Sequence, residues 1–172
     1  MTNRHISMVR PEDIPAIDFL VNSAYRGDSA RIGWTHEADL LNGSRVDADI
    51  IAQLVADPNI TLLKYTEDGQ IIGCVCLEKR EDHVYLGMLT VNPSLQAKGI
   101  GKALLEAAES YAPVLGCNTI EMTVITVREE LIAWYIRRGY RNTGKIKDFP
   151  TGDTRFGIPV TRLEFVVLEK QL

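Results

Sequence analysis

The segment from position 91 to position 102 holds the densest concentration of chemistry in this chain. A run of strand-forming residues ends at Asn92-Pro93, and after Ser94-Leu95-Gln96-Ala97-Lys98 two glycines, Gly99 and Gly101, open a helical pattern. Backbone N–H groups at a helix start have no intrahelical partner, and the helix dipole adds positive charge there. Glycine lets a phosphate approach the main chain without a Cβ in the way. Lys98 and Lys102 add two full charges. The combination predicts a grip on a diphosphate.

Two common diphosphate motifs do not fit. A P-loop needs G-x-x-x-x-G-K-[ST], but position 96 is Gln and position 103 is Ala. A Rossmann turn, G-x-G-x-x-G, needs glycine where Leu104 stands, and would follow the first strand of a βαβ unit. What remains is Gln96-x-x-Gly99-x-Gly101 between a strand and a helix. In this the chain resembles the GCN5-related N-acetyltransferase (GNAT) superfamily, whose Q/R-x-x-G-x-G/A turn binds the pyrophosphate of acetyl-CoA.

A second stretch strengthens the resemblance. Leu131-Ile132-Ala133-Trp134-Tyr135-Ile136-Arg137-Arg138-Gly139-Tyr140 is similar to the superfamily's later signature, an apolar helix with a tyrosine four residues before Gly-Phe or Gly-Tyr. The likeness spans residues 89–140 in motif and nearly the whole chain in element order. It implies acetyl-CoA as co-substrate, held by Gln96, Ala97, Lys98, Gly99, Ile100, Gly101 and Lys102. It also implies that the pantetheine arm lies along Leu89, Thr90 and Val91, with a backbone N–H near Leu89 polarising the acetyl carbonyl. Tyr135 is implied as the general acid for the departing thiolate. An unperturbed phenol titrates near ~10 and a thiol near ~8.5, so the phenol holds a proton to give. One position departs from the pattern. Where many members carry asparagine, seven residues before the tyrosine, this chain has Arg128, which reads either as a contact to the cofactor or as a solvated side chain in a helix's first turn.

These residues must be positioned by a scaffold that the apolar patterning outlines. Residues 6–10 read as a strand and residues 11–27 as a helix opened by Pro11. Residues 47–56 read as a second helix, stopped by Asp57-Pro58. Residues 60–65 and 70–79 read as a hairpin around Glu67-Asp68-Gly69, and residues 83–91 as the strand before the turn. A helix to residue 112, a strand at 119–127, a helix at 128–138 and strands at 140–145 and 162–169 complete the order. The pattern predicts an α/β (α+β) fold, a mixed sheet with helices on its faces. The resemblance implies the GNAT fold, mostly antiparallel, with the strand before the turn splayed from the next one. One domain, residues 1–172, is expected.

Composition bounds the rest. A net charge of -4 argues against general nucleic-acid binding, and no apolar run approaches the ~20 residues of a membrane span. The opening residues carry no apolar leader, so the cytoplasm is the expected address. Cys74 and Cys76 share a strand face and Cys117 stands apart, with no zinc spacing. Buried thiols and no metal are expected.

The acceptor pocket is expected from residues 25–45 and 149–159, with Trp34, Thr35, Glu37 and Arg45 as its candidates. Acidic residues outnumber basic ones from position 30 to 60, which favours a cationic amine on a small molecule, an amino acid or a peptide. Glu37, Glu78 and Glu121 stand as alternatives for a general base, with a water relay beside them. A homodimer using the final strand is also compatible with the sequence. Two other readings stay open: a non-catalytic acyl-CoA-binding regulatory module, and a different nucleotide-binding α/β protein.

Overall fold

A computed structural model describes residues 1–26, 31, 33, 37–43, 45–150 and 157–172. The chain runs β1 (Arg4–Met8), α1 (Ile14–Tyr25), β2 (Leu41–Asn42), α2 (Ala48–Ala56), β3 (Ile60–Glu67), β4 (Gln70–Lys79) and β5 (Val84–Val91). It continues α3 (Ile100–Tyr111), β6 (Thr119–Ile125), α4 (Glu129–Arg137), β7 (Arg141–Asp148), β8 (Ile158–Pro159) and β9 (Glu164–Gln171).

Local chemistry sets several boundaries. Pro11–Asp13 forms a 3-10 turn ahead of α1, and the Asp13 carboxylate accepts from the Arg10 amide at 2.8 Å and the Lys64 ammonium at 2.6 Å. Asp47 caps α2 by accepting the Ile50 N–H. The β3–β4 hairpin closes through Asp68 and Gly69, both at positive φ, as a two-residue turn requires. Gly139 at φ +95 ends α4, where the Tyr140 amide bonds back to the Tyr135 carbonyl.

Seven strands form one mixed sheet in the order β1-β3-β4-β5-β6-β9-β7, antiparallel except at β5–β6. Apolar side chains cover both faces. Val75, Leu77, Leu86 and Met122 pack beneath α3 and α4, while Leu62, Cys74, Cys76 and Met88 pack beneath α1 and α2. Cys74 and Cys76 do share one face, and burial pushes both thiols up to about 12. No described helix is long and apolar enough to cross a membrane.

The final strand, compatible in sequence with a subunit contact, lies inside the sheet. β9 is paired on both sides, with β6 and with β7, so it has no backbone edge to offer a partner. The sheet's edges are β1 and β7.

Candidate active site

The glycine turn forms as the sequence suggests, at the end of β5. Asn92 accepts hydrogen bonds from the amide and hydroxyl of Ser94, and Gln96 donates through its side-chain amide to the Val91 carbonyl at 3.3 Å. Ala97 and Gly99 then adopt the left-handed region, with φ of +65 and +82. Gly99 is the N-cap of α3, and a Cβ on it would meet nothing within 4 Å, so its strain rather than crowding calls for glycine. None of the backbone N–H groups of residues 97–102 donates to another described residue. The amides are therefore available to an anion, with the first turn of α3 behind them.

β5 carries two irregularities that expose its main chain. It pairs with β6 only at Val84↔Ile120 and Tyr85↔Glu121, after which the two strands splay. On its other side Thr90 faces Cys74 and Gly87 faces Cys76, so Met88 and Leu89 together stand opposite Val75. This is a β-bulge, with Met88 at φ +51. A methionine in that region costs ~1–2 kcal/mol, and such strain concentrates at functional sites. The Tyr25 hydroxyl, at the end of α1, donates to the Leu89 carbonyl at 2.6 Å.

Two cavities open from the splay. The first, of about 200 Å³, runs from Gln96, Ala97, Gly99, Gly101 and Lys102 past Val91, Thr90 and Leu89 to Tyr135. Arg138 also lines it, stacked 3.8 Å over the Trp134 ring. The second, of about 270 Å³, lies on the other side between β5 and β6. Five residues line both: Tyr25, Leu89, Arg128, Leu131 and Tyr135. Tyr135 is buried on α4, held edge-on between Trp134 and Tyr140, and its hydroxyl bonds to no described residue. Burial raises the pKa of its phenol, with smaller contributions from Tyr25 and Tyr85, and Arg128 only partly opposes this.

The second cavity departs from the expected acidic surround. Asp47 is spent as a helix cap, Asp57 accepts the Asn59 amide, Asp39 pairs with Arg31, and Asp49 is in the first turn of α2. Of the carboxylates, only Glu37 lines it among the described residues. Glu37 itself is buried, with Oε1 2.6 Å from Arg26 Nη1 and Oε2 2.9 Å from Arg128 Nη1. Both carboxylate oxygens are thus engaged by arginines. Arg128, at 5% exposure, is not the solvated side chain its position in the sequence allowed.

The other candidate bases sit elsewhere. Glu78 pairs with Arg80 at 3.3 Å, Glu121 lies 3.9 Å from His83, and neither lines either of these two cavities. Arg45 does line the second cavity, over the Tyr25 ring at 5.5 Å. Trp34 and Thr35 lie outside the described residues. A short β2–β8 ladder, Leu41↔Pro159 and Asn42↔Ile158, joins the two segments expected to build the pocket, and Phe149 and Pro150 line it. Tyr25 and Arg26 fall within the expected segment 25–45 without being singled out there, and Arg138 and the Tyr85–Thr123 hydroxyl pair were not anticipated. Their types are ordinary, and only the fold brings them to the cavities. No cluster of described residues could hold a metal ion.

Comparison with known proteins agrees with this geometry. The chain is 32% identical over 75 residues to YdhI, an uncharacterized protein of Bacillus subtilis (strain 168), covering 44% of this chain and 46% of that protein. It is 28% identical over 94 residues to a mycothiol acetyltransferase of Clavibacter michiganensis subsp. michiganensis, covering 55% and 31%. The matches thus span less than half the length of these curated relatives. In fold it is similar to yncA, a putative acetyltransferase from Salmonella typhimurium solved with its cofactor acetyl-CoA. That likeness has a TM-score of 0.70 at 20% identity and covers 99% of this chain and 94% of the other. The model of the Acetyltransferase (GNAT) family matches residues 30–140. With most of its length inside that match, and the glycine turn and the Tyr135 helix both within it, this chain belongs to the GNAT acetyltransferase family.

Proposed function

We propose that the chain acts as one domain that transfers an acetyl group from acetyl-CoA to a primary amine, with Tyr135 as the general acid. The observation that carries this reading is the meeting of two cavities at Leu89 and Tyr135, one reaching back to the unbonded amides of the glycine turn. The fit to acetyl-CoA rests on those amides, on Lys98 and Lys102 beside them, and on the open edge of β5 beyond Tyr85. Family membership supports the same donor.

Bound acetyl-CoA supplies an activated thioester. The amides of residues 97–102 hold its pyrophosphate, and the backbone of Leu89, Thr90 and Val91 aligns the pantetheine arm. The bulge at Met88 and Leu89 turns main-chain polar groups toward the acyl carbonyl. The amine enters through the second cavity and loses its proton to solvent, since the Glu37 oxygens are taken by arginines. The Tyr135 hydroxyl, kept protonated by burial, gives its proton to the departing sulfur and regains one from solvent.

Thermal shift with acetyl-CoA, ATP and NAD, followed by thiol release with an amine panel, tests the proposal. Stabilisation by acetyl-CoA above the other two, with thiol released on adding an amine, is the expected result. Binding of acetyl-CoA without transfer to any amine would point to a regulatory acyl-CoA-binding module. Stabilisation by ATP or NAD alone would overturn the reading.

A further inference from the structure

Arginines dominate the charged lining of the second cavity among the described residues. Three guanidiniums, of Arg26, Arg45 and Arg128, line it against the single carboxylate of Glu37 among the described residues. Arg26 and Arg128 each contribute an Nη1 to a different oxygen of Glu37, so that carboxylate is committed to them. Arg45 takes no part in the triad. Its amide is fixed by the Asn22 side chain at 2.7 Å, and its guanidinium has no ion-pair partner among the described residues. The guanidinium stands over the Tyr25 ring, 5.5 Å from its centroid. Burial pushes the Arg26 pKa down, and among the smaller influences Arg45 pushes the same way, as one like charge does near another. The Arg45 guanidinium, without an ion-pair partner among the described residues and lining a half-enclosed cleft, complements an anion.

Position narrows the class of anion. Arg45 stacks on Tyr25, whose hydroxyl binds the Leu89 carbonyl at the junction of the two cavities. One aromatic ring therefore separates the cation from the place where an amine would react. A charge that close serves a group on the same small molecule as the amine.

We infer that the acceptor is an amino acid with a free carboxylate, and that Arg45 is the residue that takes this carboxylate. Polyamines and lysine side chains within a protein lack such a group and would meet like charge in the cavity. The inference rests on the acetyltransferase reading and deepens it. The carboxylate specifies the acceptor and plays no part in proton transfer.

The test uses a panel of amino acids, each assayed by thiol release against its α-carboxamide and its decarboxylated amine. The acid of the best series should exceed both partners at least tenfold in kcat/KM. Arg45→Ala should bring acid and amide within twofold of each other, mainly by raising KM for the acid. Arg45→Lys should restore part of the preference, and acetyl-CoA binding should not change in either variant. A preference for the amide or amine, or a ratio unmoved by Arg45→Ala, overturns the inference. Calorimetric titration of the same compounds into protein saturated with CoA separates this result from that of the parent reading. Arg45-dependent binding of acids without any transfer would sink the transferase reading and leave the inference standing. Equal binding of acids and amides, or no binding by any acid, would sink the inference itself.

Discussion

The Tyr25 hydroxyl donates a 2.6 Å hydrogen bond to the carbonyl of Leu89, tying the last residue of α1 to the bulge in β5. Both residues line both cavities. The bond holds in place a stretch of strand that has left its ladder with β4 and has no partner on β6.

Tyr25→Phe should therefore loosen the bulge without unfolding the protein. A lost hydrogen bond of this kind costs about 1 kcal/mol. We expect that loss in urea denaturation, together with a severalfold fall in kcat/KM and little change in acetyl-CoA affinity. Full activity in the variant would show that the bulge holds itself.

The Arg26–Glu37–Arg128 triad predicts a larger effect. Removing one partner of a buried ion pair costs ~3–5 kcal/mol. Glu37→Ala takes from Arg26 and Arg128 the carboxylate they share. Its unfolding midpoint should drop by that order. A near-neutral substitution would mean that solvent already carries the charge.

The turn predicts a binding defect. Gly99 sits at φ +82, where a β-branched side chain is strongly disfavoured, and open space lies around it. Gly99→Val should weaken acetyl-CoA binding at least tenfold by reorienting the amides of residues 97–102, with a modest loss of stability. Calorimetric titration of acetyl-CoA measures it, and unchanged affinity would remove the turn from the cofactor's grip.

What could be read from sequence was local in origin. The glycine turn at Gly99, the helix beginning just after it, and Tyr135 four residues before the stop at Gly139 all depend on neighbours in the chain. What could not be read depends on distant contacts. Insertion of β9 between β6 and β7 is a pairing choice that the pattern of residues 162–169 does not encode. Met88 carries no sign of its positive φ, since the glycine of this stretch stands one position earlier, at Gly87. Glu37 looked like a base because its partners lie 11 and 91 positions away. The acidic balance of residues 30–60 misled for a related reason: composition does not distinguish a helix cap such as Asp47 from a cavity wall.

Stability should change with pH at both ends. Burial raises the phenol pKa of Tyr25, Tyr135 and Tyr140 above the ordinary value near ~10. Their protons leave the unfolded chain first, so this contribution is complete below about pH 10 and is lost as pH climbs toward the folded-state values. Tyr135→Phe should flatten the alkaline fall in melting temperature. For Asp13, burial acts to raise the carboxyl, but Lys64 and the Arg10 amide outweigh it and the net shift is downward. That contribution is present above about pH 4 and fades as pH falls further, so Asp13→Asn should make the acid limb shallower.

The most direct measurement is turnover by Tyr135→Phe beside its acetyl-CoA affinity. If the phenol at the junction of the two cavities protonates the leaving sulfur, thiol release should fall at least tenfold while the dissociation constant for acetyl-CoA stays within about twofold. Undiminished turnover with intact binding would contradict that role.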